Sequence, residues 1–336
     1  MLYVSTKNFT NRFSPDDTLH THRASDGGAF VPEVLPSYSK ADIFRLKKKS
    51  FAESVAFILN VFFEKDLNAW DVEFSVGRYP YRVTPMHHRV FMGEVCNNLA
   101  STYEYFEKGL FDQLSGNNDP ETKPTYWAKV AIQIAVLFGL FGELLRRDVY
   151  EADLSVSAED FISPVAAWYA RSMGLPVKKI ICATGNNHVF WDLIHRGECS
   201  TAAFTTKPDL YAGIESLLYG VYGAGEVDRF KNCANQRCIY TLPDGIRDLF
   251  VEQYYVSVPS EDRVTATIRS LYQIHGYYAS PMAAQVFSGL QDYRARTGES
   301  RNALLLSLSS PVFYIERLSS ILGYTPQEIE ALIKKA

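Results

Sequence analysis

Cysteine is scarce in this chain. There are five in 336 residues, Cys96, Cys182, Cys199, Cys233 and Cys238, odd in number and irregular in spacing. That pattern argues against a disulfide framework. The pair Cys233 and Cys238 has no second pair nearby and makes a poor zinc motif, so no metal is expected. Basic clusters are also missing. Lys and Arg are spread along a chain of net charge −4, which leaves no face for a nucleic acid. The N-terminus, MLYVSTKNFT, lacks the apolar core of a signal peptide. The longest apolar run, residues 130–145, is broken by Gln133 and Glu143 and is shorter than the ~20 residues a membrane span needs. It reads as a buried helix of a soluble, cytoplasmic protein, with no membrane partner.

What is present suits a large globular core. Apolar residues make up 47% of the chain and charged residues 21%, both ordinary, while 14% aromatic content supplies bulk for a core or a partner surface. Residues 1 to about 40 are rich in turn formers and end in DGGAFVPEVLP. Ser50 and Glu53 form a capping box that predicts a helix through Phe63. Residues 112–123 are polar and breaker-rich and read as a loop, followed by a long helix from about Pro124 to Arg147. Further along, a helix is predicted over 161–173, ending at Gly174, then a buried parallel strand over 179–184 and a helix near 188–194. Ala202 to Thr206 reads as a second strand. Ser260 caps a helix that stops at Gly276, Ser280-Pro281 opens another, and 304–308 is a strand. Thr325-Pro326 starts the last helix. Helices alternating with short apolar strands predict an α/β protein with a mostly parallel sheet flanked by helices.

Several stretches together resemble threonine synthase, a fold-type II pyridoxal phosphate (PLP) enzyme related to the tryptophan synthase β subunit. Leu2-Tyr-Val-Ser-Thr6 and Asp26-Gly-Gly-Ala-Phe-Val-Pro32 are similar to its N-terminal signature. Residues 126–134 (YWAKVAIQI) are similar to its NWARILAQI helix. Residues 166–176 and 180–187 are similar to AGYYAKKMGLP and IVATNEN. The resemblance implies an N-terminal domain over 1–82 and a truncated large α/β domain over 83–336. The family's small cofactor-side domain, with its SGDTGSAA stretch, is expected to be missing around Leu114 to Lys123. It also implies a homodimer and an ancestral setting in amino-acid metabolism.

The resemblance brings a cofactor with it, and the matching residues depart from what that cofactor needs. A Schiff base requires a lysine amine. The family's lysine, in ELFHGPTLAFKD, matches Glu104 within residues 94–105, and its histidine-glycine pair matches Asn97-Asn98. Lys108, one turn on, is the alternative amine. A phosphate needs helix N-terminal N–H groups reached past glycines. The family's TGNFGN becomes residues 158–163, with Glu159, Asp160, Phe161 and Ile162 in place of an open loop. Their carboxylates are expected to satisfy the N–H groups themselves. In place of STASPAKF stand residues 307–314, with Leu308 at the pyridine contact and Ser307 or Ser309 beside it. DPHTA becomes residues 275–279, beginning at His275. No bound cofactor is therefore expected, PLP being ancestral.

The expected function is a threonine synthase-like pseudoenzyme that acts by interaction or regulation, as a homo-oligomer or with a protein partner. The apolar, tyrosine-rich segment 211–222 suits either an interface or a core. The alternative is a PLP-independent enzyme using the old cleft, with Glu104 and His275 as candidate catalytic residues and Glu159, Asp160, His188 and His87-His88 near them. A third reading keeps lyase-like PLP chemistry through an unrecognised lysine.

Overall fold

Capped helices and short apolar strands alternate along a chain whose computed structural model describes residues 1–76, 81–95, 102–117, 119–185, 188–206 and 208–335. The N-terminal segment is built on an antiparallel sheet of order β2-β1-β3, formed by β1 (Tyr3–Ser5), β2 (Arg12–Phe13) and β3 (Phe30–Pro32). Around it lie α1 (Pro15–His20), α2 (Lys40–Arg45), α3 (Phe51–Phe63) and α4 (Ala69–Val76). Helix α3 begins with the capping box read from sequence, Ser50 and Glu53 each accepting from the other's backbone N–H.

The main sheet has six strands in the order β10-β7-β6-β11-β5-β4. Strands β5 (Val90–Val95), β6 (Ala152–Ser157), β7 (Val177–Ala183), β10 (Tyr254–Ser257) and β11 (Ala303–Ser307) run parallel, and β4 (Tyr81–Met86) closes one edge antiparallel to β5. Every residue of β6 and β11 is buried, as strands covered on both faces must be. Between β5 and β6 come α5 (Tyr103–Ser115) and α6 (Tyr126–Arg146), joined by residues 116–125. No further α/β unit is inserted there. Helix α6 is long and apolar enough to cross a membrane, yet it is buried inside the fold, packed on α3. Gly139 and Gly142 let Phe51 and Leu46 approach its backbone.

After β6 follow α7 (Ile162–Ser172), then, past β7, α8 (Val189–His195) and the short strand β8 (Glu198–Ser200). Next come α9 (Pro208–Tyr222), α10 (Ala224–Gln236), β9 (Ile239–Thr241), which pairs only with β8, and α11 (Asp244–Gln253). Helices α12 (Glu261–His275), α13 (Pro281–Thr297), α14 (Ile315–Leu322) and α15 (Pro326–Lys335) complete the chain. Ser260, Ser280 and Thr325 start α12, α13 and α15 as the sequence indicated.

Three expectations need correction. Ala202 to Thr206 is not a strand; 201–206 forms a 3-10 turn, because Thr201 donates its hydroxyl to the carbonyl of Cys238 and pins the chain beside α10. Residues 112–115 are the last turn of α5 rather than loop, with Asp112 held by Lys108. Of the two readings of segment 211–222 the core one holds: Ala212 to Leu218 are buried, and Tyr222 alone of its tyrosines is exposed. Finally, Cys233 and Cys238 are bridged, their Cα atoms 5.2 Å apart. Arg237 takes the left-handed conformation (φ 53°) at the end of α10 and folds the chain back on itself.

Candidate functional site

In an open parallel sheet, ligands bind beyond the carboxyl ends of the strands. Here the ends of β6 and β7 are tied together by one side chain. Glu159 follows β6, and its Oε1 accepts from the backbone N–H of Gly185, from Thr184 Oγ1 at 3.2 Å and from Gln285 Nε2 at 3.2 Å. The next residue, Asp160, turns the other way. Its Oδ1 accepts from the N–H of Ile162 at 3.1 Å, the first residue of α7. Phe161 between them sits at φ 68° with its ring buried against Phe190, centroids 4.7 Å apart. The expectation for this loop thus divides: Asp160 covers the helix N-terminus, while Glu159 covers the neighbouring turn.

The opposite wall is charged. Lys129 of α6 pairs with Asp209 of α9 at 2.8 Å, both half-buried. Glu107 of α5 faces them. Burial pushes its carboxyl up to about 7; Lys129 opposes the shift, and Asp160, Glu104 and Asp209 add to it. Asp160 is exposed to solvent, yet desolvation by the surrounding protein raises its carboxyl as well. Five carboxylates, Glu104, Glu107, Glu159, Asp160 and Asp209, and the amine of Lys129 therefore share the site.

The sequence-predicted residues separate into two places. Glu104 is exposed in the first turn of α5, on the cleft side with Glu107. His275 is elsewhere. It ends α12 and packs on His87, ring centroids 4.6 Å apart, beside the turn joining β4 to β5. That turn lies at the amino end of β5, so the sheet separates His275 from Glu104, Glu159 and Asp160. Burial and the neighbouring His87 and His88 hold the His275 imidazole below its usual range. His188 is exposed ahead of α8, in a separate groove with Trp191, Ser257 and Asp292. Lys108 is bound to the carboxylate of Asp112 and to the carbonyl of Asp119 at 3.0 Å. Ser307 ends β11 buried, and Ser309 donates to Tyr314 at 3.4 Å. Asn97-Asn98, Cys96 and residues 186–187 lie outside the described residues. Among the described residues no group of three or more His, Cys, Asp or Glu side chains is placed to hold a metal ion.

Sequence reasoning missed Glu107, Lys129 and Asp209. Two signals were available. Glu107 follows Glu104 by one helical turn, and Lys129 lies inside the 126–134 motif that carried the resemblance.

The doubly covered, mostly parallel sheet with this cleft has the fold of PLP enzymes of fold type II. Residues 2–78 match the family described as threonine synthase N terminus. The chain is 35% identical over 75 residues to the mouse protein threonine synthase-like 1, covering 21% of this chain and 10% of that one. It is 26% identical over 214 residues to the threonine synthase of Escherichia coli K12, covering 60% of this chain and 43% of the relative. The matches thus span less than half the length of these curated relatives. The PLP-bound threonine synthase of Brucella melitensis superposes with a TM-score of 0.79 at 16% identity, over 99% of this chain and 94% of the other. The yeast enzyme superposes with 0.77 at 14% identity, over 98% and 93%. Residues 2–78 thus match a threonine synthase N-terminal domain, and the chain as a whole is threonine synthase-like in fold.

Proposed function

We propose that this chain is a threonine synthase-like protein without PLP-dependent catalysis, acting as an interaction or regulatory protein that pairs with itself or with a protein partner. One observation carries the reading: carboxylate oxygens of Glu159 and Asp160 sit on the N–H groups of Gly185 and Ile162. A cofactor phosphate seated there would face two like charges and would have to displace the carboxylates that already hold these N–H groups. The family's lysine position has no amine either, since Glu104 stands there, while Lys108 is engaged by Asp112 and Lys129 by Asp209. These residues do not fit PLP, and no reaction step is assigned to it. The short connection 116–125 leaves α4 and α5 open to solvent. Trp70 and Phe74 stack there with centroids 5.2 Å apart and 64% and 68% exposed, and Tyr105 on α5 is 71% exposed. Such apolar surface suits a partner. The test is the absorption spectrum of the purified chain with and without added PLP. The expected result is no visible Schiff-base band; a band that borohydride fixes covalently on any lysine overturns the proposal.

The carboxyl of Glu107 near 7 favours a second reading, a PLP-independent enzyme using general acid–base chemistry. Glu107 is the group we assign to proton transfer there, with Lys129 and Asp209 orienting a ligand. A ligand screen followed by NMR titration of Glu107 separates the two readings. A ligand that shifts the Glu107 titration supports the enzyme; a co-purifying protein with an unshifted Glu107 supports the pseudoenzyme.

A further inference from the structure

A second cluster of charge lies away from the sheet ends, where the N-terminal domain meets α9 and α10. Its centre is Glu215 of α9, fully buried. Glu215 accepts from Thr6 Oγ1 and from the N–H of Ala29 at 2.9 Å, and pairs with Arg23 at 2.9 Å and Lys231 at 2.7 Å. Beside it opens a cavity of about 410 Å³ lined by Lys7, Arg23, Lys231, Asn235, Tyr211 and Phe204, among others. Three cations thus border a space with one carboxylate behind it. Asp26 is a second carboxylate nearby, its Oδ1 accepting from Ser5 and from the N–H of Gly28, so three cations still outnumber two carboxylates. Lys7 donates to the carbonyl of Asp26 at 2.8 Å and has no carboxylate partner among the described residues.

Lys231 is the informative residue. It is 6% exposed, and the one partner of its ammonium is Glu215 Oε1 at 2.7 Å, which leaves further donors without an acceptor among the described residues. An ammonium carries three donors. Buried donors without acceptors are rare and mark an ion or water that belongs there. Burial lowers the Lys231 pKa against the pull of Glu215, and Lys7 and Arg23 add to the lowering. Arg23 is held in place over the Tyr211 ring, 5.0 Å from its centroid, so the site is built in advance.

We infer that this cavity is a binding site for a small oxyanion, a phosphate group held by Lys7, Arg23 and Lys231. The volume exceeds that of phosphate alone and admits an organic group against Tyr211 and Phe204. The full chain is titrated with inorganic phosphate at constant ionic strength, by calorimetry and by thermal shift. Saturable binding with a raised melting temperature is expected, and matched sodium chloride produces neither. Lys7→Ala and Lys231→Gln each weaken binding about tenfold, the loss of one charge-assisted contact. Lys7 is exposed and outside the Glu215 network, so its variant folds even where Lys231→Gln does not. It also separates this site from the cleft, which contains neither residue. Glycerol phosphate forms a second arm: tighter binding than phosphate identifies an organic phosphate as the ligand, and equal binding identifies the free ion. No saturable binding, or Lys7→Ala binding phosphate as the wild type does, overturns the inference.

Discussion

Glu159 accepts the backbone N–H of Gly185, so a side chain from the end of β6 closes the turn after β7. The interaction ties the ends of two neighbouring strands together. Glu159→Ala removes the acceptor from Gly185 and from Gln285 together. Leaving such donors without a partner costs about 1–3 kcal/mol. Urea denaturation is expected to show a lower midpoint with an unchanged slope. Glu159→Gln, which keeps one acceptor oxygen, loses less. On the proposed function neither variant gains a Schiff-base band with PLP, because Lys129 stays paired with Asp209 and Lys108 with Asp112.

Glu107 makes stability depend on pH in the opposite sense to an ordinary surface carboxylate. Its folded pKa, about 7, lies above the unfolded 4.5, so the native state holds the proton more tightly. Stability is therefore full below 4.5 and falls as pH rises towards 7. Asp160, raised in the same direction, adds to the trend. Glu107→Gln is expected to match the wild type at about pH 4 and to exceed it by about 1–3 kcal/mol at about pH 8. Denaturation curves at the two pH values check it; an equal gap at both places the effect outside this titration.

Much of the fold was legible because it rests on local chemistry. Ser50 with Glu53, Ser260, Ser280-Pro281 and Thr325 mark helix starts that need no tertiary information. The apolar strands at 179–184 and 304–308 declare themselves because both sheet faces are covered. The strand read at 202–206 failed because its backbone is set by a distant hydroxyl contact, Thr201 to Cys238, which the β-branched composition does not report. The bridge between Cys233 and Cys238 depends on a left-handed Arg237, which spacing does not announce. In the cleft, Glu159 and Asp160 were found by position in a motif, whereas the role of Glu107 arises from burial and four charged neighbours on three other elements and its own helix. His275 shows the converse: a residue type suited to catalysis, placed by the sheet direction at the wrong end.

The packing of α3 on α6 depends on Gly139. A Cβ there would stand 2.5 Å from Phe51 Cδ2 and 2.8 Å from Cε2. Phe51 cannot retreat easily, being stacked on Tyr81 with centroids 4.2 Å apart. Gly139→Ala gains helix propensity of about 1 kcal/mol, and overpacking costs about 1–3 kcal/mol. The net expectation is a lower melting temperature. Phe51→Leu in the same chain recovers part of the loss, and a double-mutant cycle reports the coupling between the two sites. Additive effects would show that the helices separate without contact between these residues.

Glu215 is a fully buried carboxylate paired with two cations. Glu215→Gln keeps the shape but leaves Arg23 and Lys231 without a counter-charge inside the protein. Breaking a buried pair in this way costs about 3–5 kcal/mol. Burial opposes ionisation of this carboxyl, but Arg23 and Lys231, together with the bonds from Lys231 and Thr6, outweigh it and hold the group below its ordinary value. The stabilisation is therefore present above the unfolded pKa of 4.5 and is lost as pH falls below it. The difference between wild type and Glu215→Gln is expected to be largest near neutrality and to shrink in acid. Phosphate should also stabilise the wild type less than the variant, because an anion in the adjoining cavity replaces the negative charge that the substituted amide lacks. Thermal unfolding of both chains at about pH 7 and about pH 4, with and without phosphate, measures each of these differences. A gap that grows in acid refutes the assignment of charge at this site.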